Sequence, residues 1–204
     1  MKALHRAAVG IGFVLAISVA PLRAGAEEAN PYQRSYELEA TSKLAEALAA
    51  LDAVPAASQG YVYTLRRGWL LYLLGRYEEA IPFYRRAAST APAALEPWLG
   101  LLLPQMAMRR WSDVETTAKE VVRREPLNYV GNARLAWAQY NLGKYGESAV
   151  AYRRLVEAYP ADVEMRAGLG WALLKQGKGA EAAPQFREVL AVAPNHATAR
   201  EGLQ

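Results

Sequence analysis

The sequence predicts an all-α solenoid of stacked antiparallel helix pairs. Three observations lead there. Pro92, Pro126, Pro160 and Pro194 stand at one constant interval. The residues between them repeat one order of small, glycine and aromatic positions. Gly75, Gly143 and Gly177 share a single place in that order. A fixed period of about 34 residues marks helical repeats, in which each unit buries its apolar face against its neighbours.

Aligning the chain in rows of one period from Tyr61, Leu95, Tyr129 and Val163 assigns each column a physical role. Gly68, Leu102, Ala136 and Gly170 form one small column, and Ala80, Val114, Ser148 and Ala182 another. Small side chains there let two helices cross closely. Gly75, Gly143 and Gly177 follow the first helix of their rows, where a left-handed residue ends a helix at little steric cost. The second row places Arg109 at this position, which predicts a local cost. Tyr77, Trp111 and Tyr145 after the loop, and Tyr84, Tyr152 and Phe186 in the second helix, are expected to fill the core. Each recurring proline closes a second helix, because the residue before a proline is biased away from helical geometry. Pro104, inside the first helix of the second row, predicts a kink there.

Leu74-Gly75-Arg76-Tyr77-Glu78-Glu79-Ala80 with Tyr84, Ala87 and Pro92 resembles the tetratricopeptide repeat signature. Leu142-Gly143-Lys144-Tyr145 with Tyr152 and Pro160 resembles it again, as do Gly170, Gly177, Ala182, Phe186 and Pro194. The resemblance implies a right-handed superhelix of four units: 61–94, 95–128, 129–162 and 163–196. It also implies a groove lined by the first helices that holds a partner without catalysis. The second unit matches least well. Residues 27–60 read as a divergent N-terminal capping helix pair. Asn30-Pro31 supplies a helix start there, and Leu44, Leu48 and Leu51 an apolar stripe that ends at Pro55. Residues 195–204 resemble part of a C-terminal capping helix.

Residues 1–26 carry Lys2 and Arg6, then an uncharged stretch from Ala7 to Ala20, then Pro21 and Ala24-Gly25-Ala26. This is the layout of a secretory signal, and the apolar run is shorter than the roughly 18 residues that span a bilayer. A cleaved leader and a periplasmic protein are expected; the alternative is a membrane tether formed by the uncleaved leader. Without Lys2, Arg6 and Arg23, 21 basic residues face 20 acidic ones. Such a balance gives no support to nucleic-acid binding. The chain has no cysteine, so packing must supply the stability. His196 is the one histidine beyond the leader segment. No metal ligand set, catalytic triad or glycine-rich phosphate loop emerges, and neither an enzyme nor a cofactor is predicted.

At about 100 degrees per residue, Thr64, Arg67, Gly68 and Leu71 face the partner helix, and Arg66, Trp69, Tyr72 and Leu73 lie opposite, toward the expected groove. The same offsets select Leu103 and Met106, then Arg134, Trp137, Tyr140 and Asn141, then Trp171 and Lys175. The Arg, Trp, Tyr trio recurs two units later, and Glu96 and Glu164 are separated by the same distance. Aromatic platforms flanked by arginines suit a binding surface, with Arg66 and Arg134 setting its polarity. The same tryptophans could equally pad the seam between neighbouring first helices, and exposure of the Trp69 ring separates the two readings. The expected partner is a protein or peptide of the cell envelope. The alternatives are a polysaccharide stacked on Trp69, Trp137 and Trp171, and self-association.

Overall fold

The computed structural model describes residues 30–204. The expected leader, residues 1–26, lies outside the described residues, as does the start of the 27–60 segment. Among the described residues there are α-helices, short 3-10 turns and no strand. The helices are α1 (Pro31–Ala40), α2 (Leu44–Ala50), α3 (Tyr61–Leu73), α4 (Tyr77–Thr90), α5 (Glu96–Ala107), α6 (Trp111–Arg124), α7 (Tyr129–Asn141), α8 (Tyr145–Ala158), α9 (Val163–Lys175), α10 (Gly179–Val192) and α11 (Ala197–Glu201). Each helix packs on the next in sequence. The first helices of successive pairs, α3, α5, α7, α9 and α11, also touch one another in order, more closely than the second helices do, so they line the inner side of the stack.

Local chemistry sets the ends. Asn30 accepts a hydrogen bond from the Tyr32 amide at 2.9 Å and precedes Pro31, so α1 begins on a side-chain cap and a first-turn proline. The second helices α4, α6, α8 and α10 all stop just short of a recurring proline. The residues between, Ala91, Glu125, Tyr159 and Ala193, have φ between −129° and −136°, outside helical geometry. Pro104 does not break α5: it is fully buried, and the helix continues past it to Ala107.

Gly75, Gly143 and Gly177 have φ of +73°, +74° and +77°, and Arg109 adopts the same hand at +54°. The loop closes identically in the second unit, where the Arg110 amide bonds to the Gln105 carbonyl as Arg76 does to Leu71. Arg109→Gly is therefore expected to stabilise the protein by about 1 kcal/mol, the left-handed penalty less the greater entropy of unfolded glycine. A rise in the urea midpoint at unchanged slope would show it; no rise, or a fall, would rule out strain at Arg109.

The core explains the small columns. A Cβ on Gly68 would stand 3.2 Å from the Tyr84 ring, and one on Gly170 would stand 2.6 Å from Phe186. Tyr84, Tyr152 and Phe186 are all buried. Polar bridges tie neighbouring helix pairs: Tyr61 donates to Glu96 at 2.7 Å, Tyr129 to Asp162, the cap of α9, at 2.7 Å, and Lys144 to the buried Glu115 at 2.7 Å. Burial pushes the Glu115 carboxyl up, but bonds and charge from Lys119 and Lys144 pull it further down, and it lies below the ordinary carboxylate range.

Candidate functional site

Two clefts along the inner helices contain tryptophans singled out from the sequence. The first, of about 650 Å³, lies between α1 and α3 and is lined by Tyr36, Glu39, Ala40, Leu65, Arg66 and Trp69. The second, of about 550 Å³, is bounded by α7, α9 and α11. Its lining includes Trp137, Tyr140, Glu164, Trp171, Lys175, Thr198 and Glu201.

Trp137 is 44 % exposed and lies parallel to Tyr140, with ring centroids 6.1 Å apart and planes 9° from parallel. Tyr140 is braced edge-on by Tyr145 at 5.3 Å. Burial, with the Tyr145 ring and the Glu201 charge nearby, pushes the Tyr140 hydroxyl up, so it stays a neutral donor. Trp171 is half-buried. Its indole donates to the Thr198 carbonyl at 3.1 Å, its ring meets Phe186 edge-on at 5.8 Å, and the Lys175 ammonium stands 5.9 Å from its ring centre. The cleft thus has one free aromatic face, one partly covered face, a lysine, and the carboxylates of Glu164 and Glu201. The exposed Glu164 is also in contact with His196 Nε2 at 3.1 Å. His196 Nδ1 accepts from the Ala199 amide at 3.2 Å and caps α11, the helix that forms one wall.

The residues singled out from the sequence divide among several environments. Trp137, Tyr140 and Trp171 come together in the α7–α9–α11 cleft. Trp69, 36 % exposed, lines the other cleft, with Tyr72 half-buried between it and Tyr77 at 5.8 and 5.7 Å. The exposed Asn141 turns its amide back onto the Trp137 carbonyl at 2.8 Å. Arg134 is exposed beside the groove, whereas Met106 is half-buried against the core of the second unit. Arg66 requires correction as an open, polarity-setting groove residue. It is 5 % exposed, its Nε donates to Ser35 at 3.1 Å, and its Nη1 is paired with Glu39, because α1 lies over it.

Sequence reasoning does not reach Tyr36 and Glu39, which stand in the divergent first pair where no column marks them. It also passes over Gly100, Gly168 and Gly202, although these do share a column. There a Cβ would lie 2.2 Å from Tyr84, 2.5 Å from Tyr152 and 2.3 Å from Phe186, the aromatic of the preceding unit in each case. Arg134 occupies the same column after the unit whose corresponding residue is Ala118. The alternation of arginine and glycine therefore tracks the size of the side chain one unit earlier. Among the described residues no group of three or more His, Cys, Asp or Glu side chains is placed to hold a metal ion.

Equal helix pairs with their first helices aligned along one side define a helical-repeat protein. Tetratricopeptide repeat models match residues 64–94, 134–162 and 167–203. The chain belongs to the tetratricopeptide repeat family. The stretch between the first two matches holds the second unit, whose Leu102, Arg109 and Ala118 replace small, glycine and aromatic residues. No curated protein sequence matches significantly.

Among solved structures, the chain is similar to MamA, at 14 % identity and a TM-score of 0.74, over 82 % of this chain and 92 % of that one. It is also similar to YrrB, described as a TPR protein with an unusual peptide-binding site, at 14 % identity and 0.74, over 84 % and 89 %. A tetratricopeptide repeat protein from Parabacteroides merdae ATCC 43184 aligns at 16 % identity and 0.76, over 85 % and 69 %. At these identities the likeness is one of fold.

Proposed function

We propose that this chain is a non-catalytic interaction scaffold, exported to a bacterial cell envelope, that grips a peptide segment of a partner protein in the α7–α9–α11 cleft. The observation that carries the reading is Trp137: an indole 44 % exposed, held flat against Tyr140, in a cleft that also contains Trp171. Rigid aromatic rings provide contact area at low entropic cost, and such residues dominate binding hot spots. Lys175 on one side and Glu164 and Glu201 on the others offer charge partners for a segment lying along the inner helices. The peptide-binding site described for YrrB is consistent with that use of the fold. The envelope location rests on the leader-like residues 1–26.

Cross-linking in whole cells, followed by recovery of the protein from the envelope fraction, tests the proposal. Trp137→Ala is expected to lower the yield of a partner by about tenfold or more while leaving the helical spectrum unchanged. An identical set of partners at identical yields would overturn the cleft assignment, and absence of the protein from the envelope fraction would overturn the location.

A further inference from the structure

The cleft between α1 and α3 has its own chemistry. Arg66 Nη2 is shielded from solvent and has no hydrogen-bond partner, although Nε is bound to Ser35 and Nη1 to Glu39. Buried donors are nearly always satisfied, so an unmet one beside a cleft points to a missing acceptor. The Tyr36 ring covers the guanidinium, its centroid 3.8 Å from Cζ. That ring is itself 55 % exposed and can turn aside without disturbing the core. Glu39 accepts from the Trp69 indole at 2.7 Å through its other oxygen, which fixes the indole, and Tyr72 braces it from behind.

Two features select the ligand. Glu39 neutralises Arg66, so the pair offers no net charge to an ionic partner. Because the two groups are bonded to each other, a free donor and free acceptor lone pairs sit side by side. A single trans peptide group presents its N–H and C=O on opposite edges and meets only one of them. An extended residue that offers both on one edge brings no ring face for the exposed Trp69 indole. Adjacent hydroxyls of a sugar ring both give and accept, and meet the two together. We propose that this cleft is a subsite for a neutral pyranose. One hydroxyl accepts from Arg66 Nη2, its neighbour donates to Glu39, and the ring's C–H face lies on Trp69 after Tyr36 moves aside.

The test uses the indole ¹H–¹⁵N signals of the five tryptophans in the full chain, with Trp69 assigned from Trp69→Phe. Cellotetraose, N-acetylated chitotetraose and mannotetraose are each titrated to about 10 mM, tenfold above a millimolar Kd. Trigalacturonate and tetraglycine serve as the charged and the peptide comparison. At least one neutral saccharide is expected to move the Trp69 signal saturably. Trp69→Ala and Arg66→Lys should each weaken that binding by about tenfold or more, and Trp137→Ala should leave it unchanged.

The proposal is overturned if no neutral saccharide moves Trp69, if the saccharides move Trp137 or Trp171 instead, or if trigalacturonate binds more tightly. It is also overturned if tetraglycine moves Trp69 and the saccharides do not. Peptide binding at the other cleft is reported by Trp137 and Trp171, so the two assignments succeed or fail separately.

Discussion

Phe186→Ala is expected to remove about 3–5 kcal/mol of stability, the cost of deleting a fully buried aromatic side chain whose surroundings collapse only partly. Phe186 has no solvent exposure. Its ring is enclosed by Gly170 on α9, by Gly202 just after α11 and by the edge of Trp171. The backbone at both glycines lies so close that a Cβ would stand 2.6 and 2.3 Å from the ring, and α9, α10 and α11 therefore close on this one side chain. Units of a solenoid are stabilised mainly by their neighbours, so the loss should concentrate at the C-terminal end and not spread evenly. Urea unfolding should develop an early phase, and amide exchange should accelerate first in α9 to α11. A loss below about 1 kcal/mol would mean that Phe186 does not hold these helices together.

Gly168→Ala should destabilise by about 1–3 kcal/mol, although alanine is the better helix former by about 1 kcal/mol. The added methyl would meet the Tyr152 ring at 2.5 Å, and that ring, itself buried, has little room to yield. In a Tyr152→Ala background the clash is gone, and the same substitution should become stabilising through its helix propensity. The double-mutant cycle is then expected to give a coupling of about 1–3 kcal/mol. Gly179→Ala supplies the comparison, since nothing lies within 4 Å of a Cβ there, and it should be neutral or slightly stabilising. Additive effects of Gly168→Ala and Tyr152→Ala would show that the two residues do not share a packing constraint.

Helix ends are legible in the chain itself. The spacing of Gly75, Gly143 and Gly177 predicts left-handed residues, and all three have positive φ. Arg109 stands in the same place as a costly substitute, and it keeps the same backbone hand. Each of these features depends on a few adjacent residues, which is why a sequence displays them. The Arg, Trp, Tyr recurrence two units apart predicts groove polarity, and for Arg66 the sequence misleads. Position 66 and its equivalents at 100, 134, 168 and 202 face the unit before them, not only the groove. Glycine stands there when that unit contributes Tyr84, Tyr152 or Phe186, and arginine after Ala118. The tryptophan part of the same pattern divides: Trp69 and Trp137 keep exposed faces, whereas Trp171 is partly covered by Phe186 and by its bond to Thr198.

The sequence by itself determined the helices, their period, their stop signals and the buried aromatics Tyr84, Tyr152 and Phe186, because each follows from backbone preferences and side-chain volume within one unit. Tyr77, Trp111 and Tyr145, also expected in the core, are only half-buried. Only the tertiary structure decided which of the inner residues are open. Whether Arg66 meets solvent depends on Glu39 and Ser35, 27 and 31 residues away on a helix outside the repeat pattern. Whether Trp171 offers a free face depends on Thr198, 27 residues further on. Exposure is a property of what lies across a gap, and no periodicity within a helix encodes it.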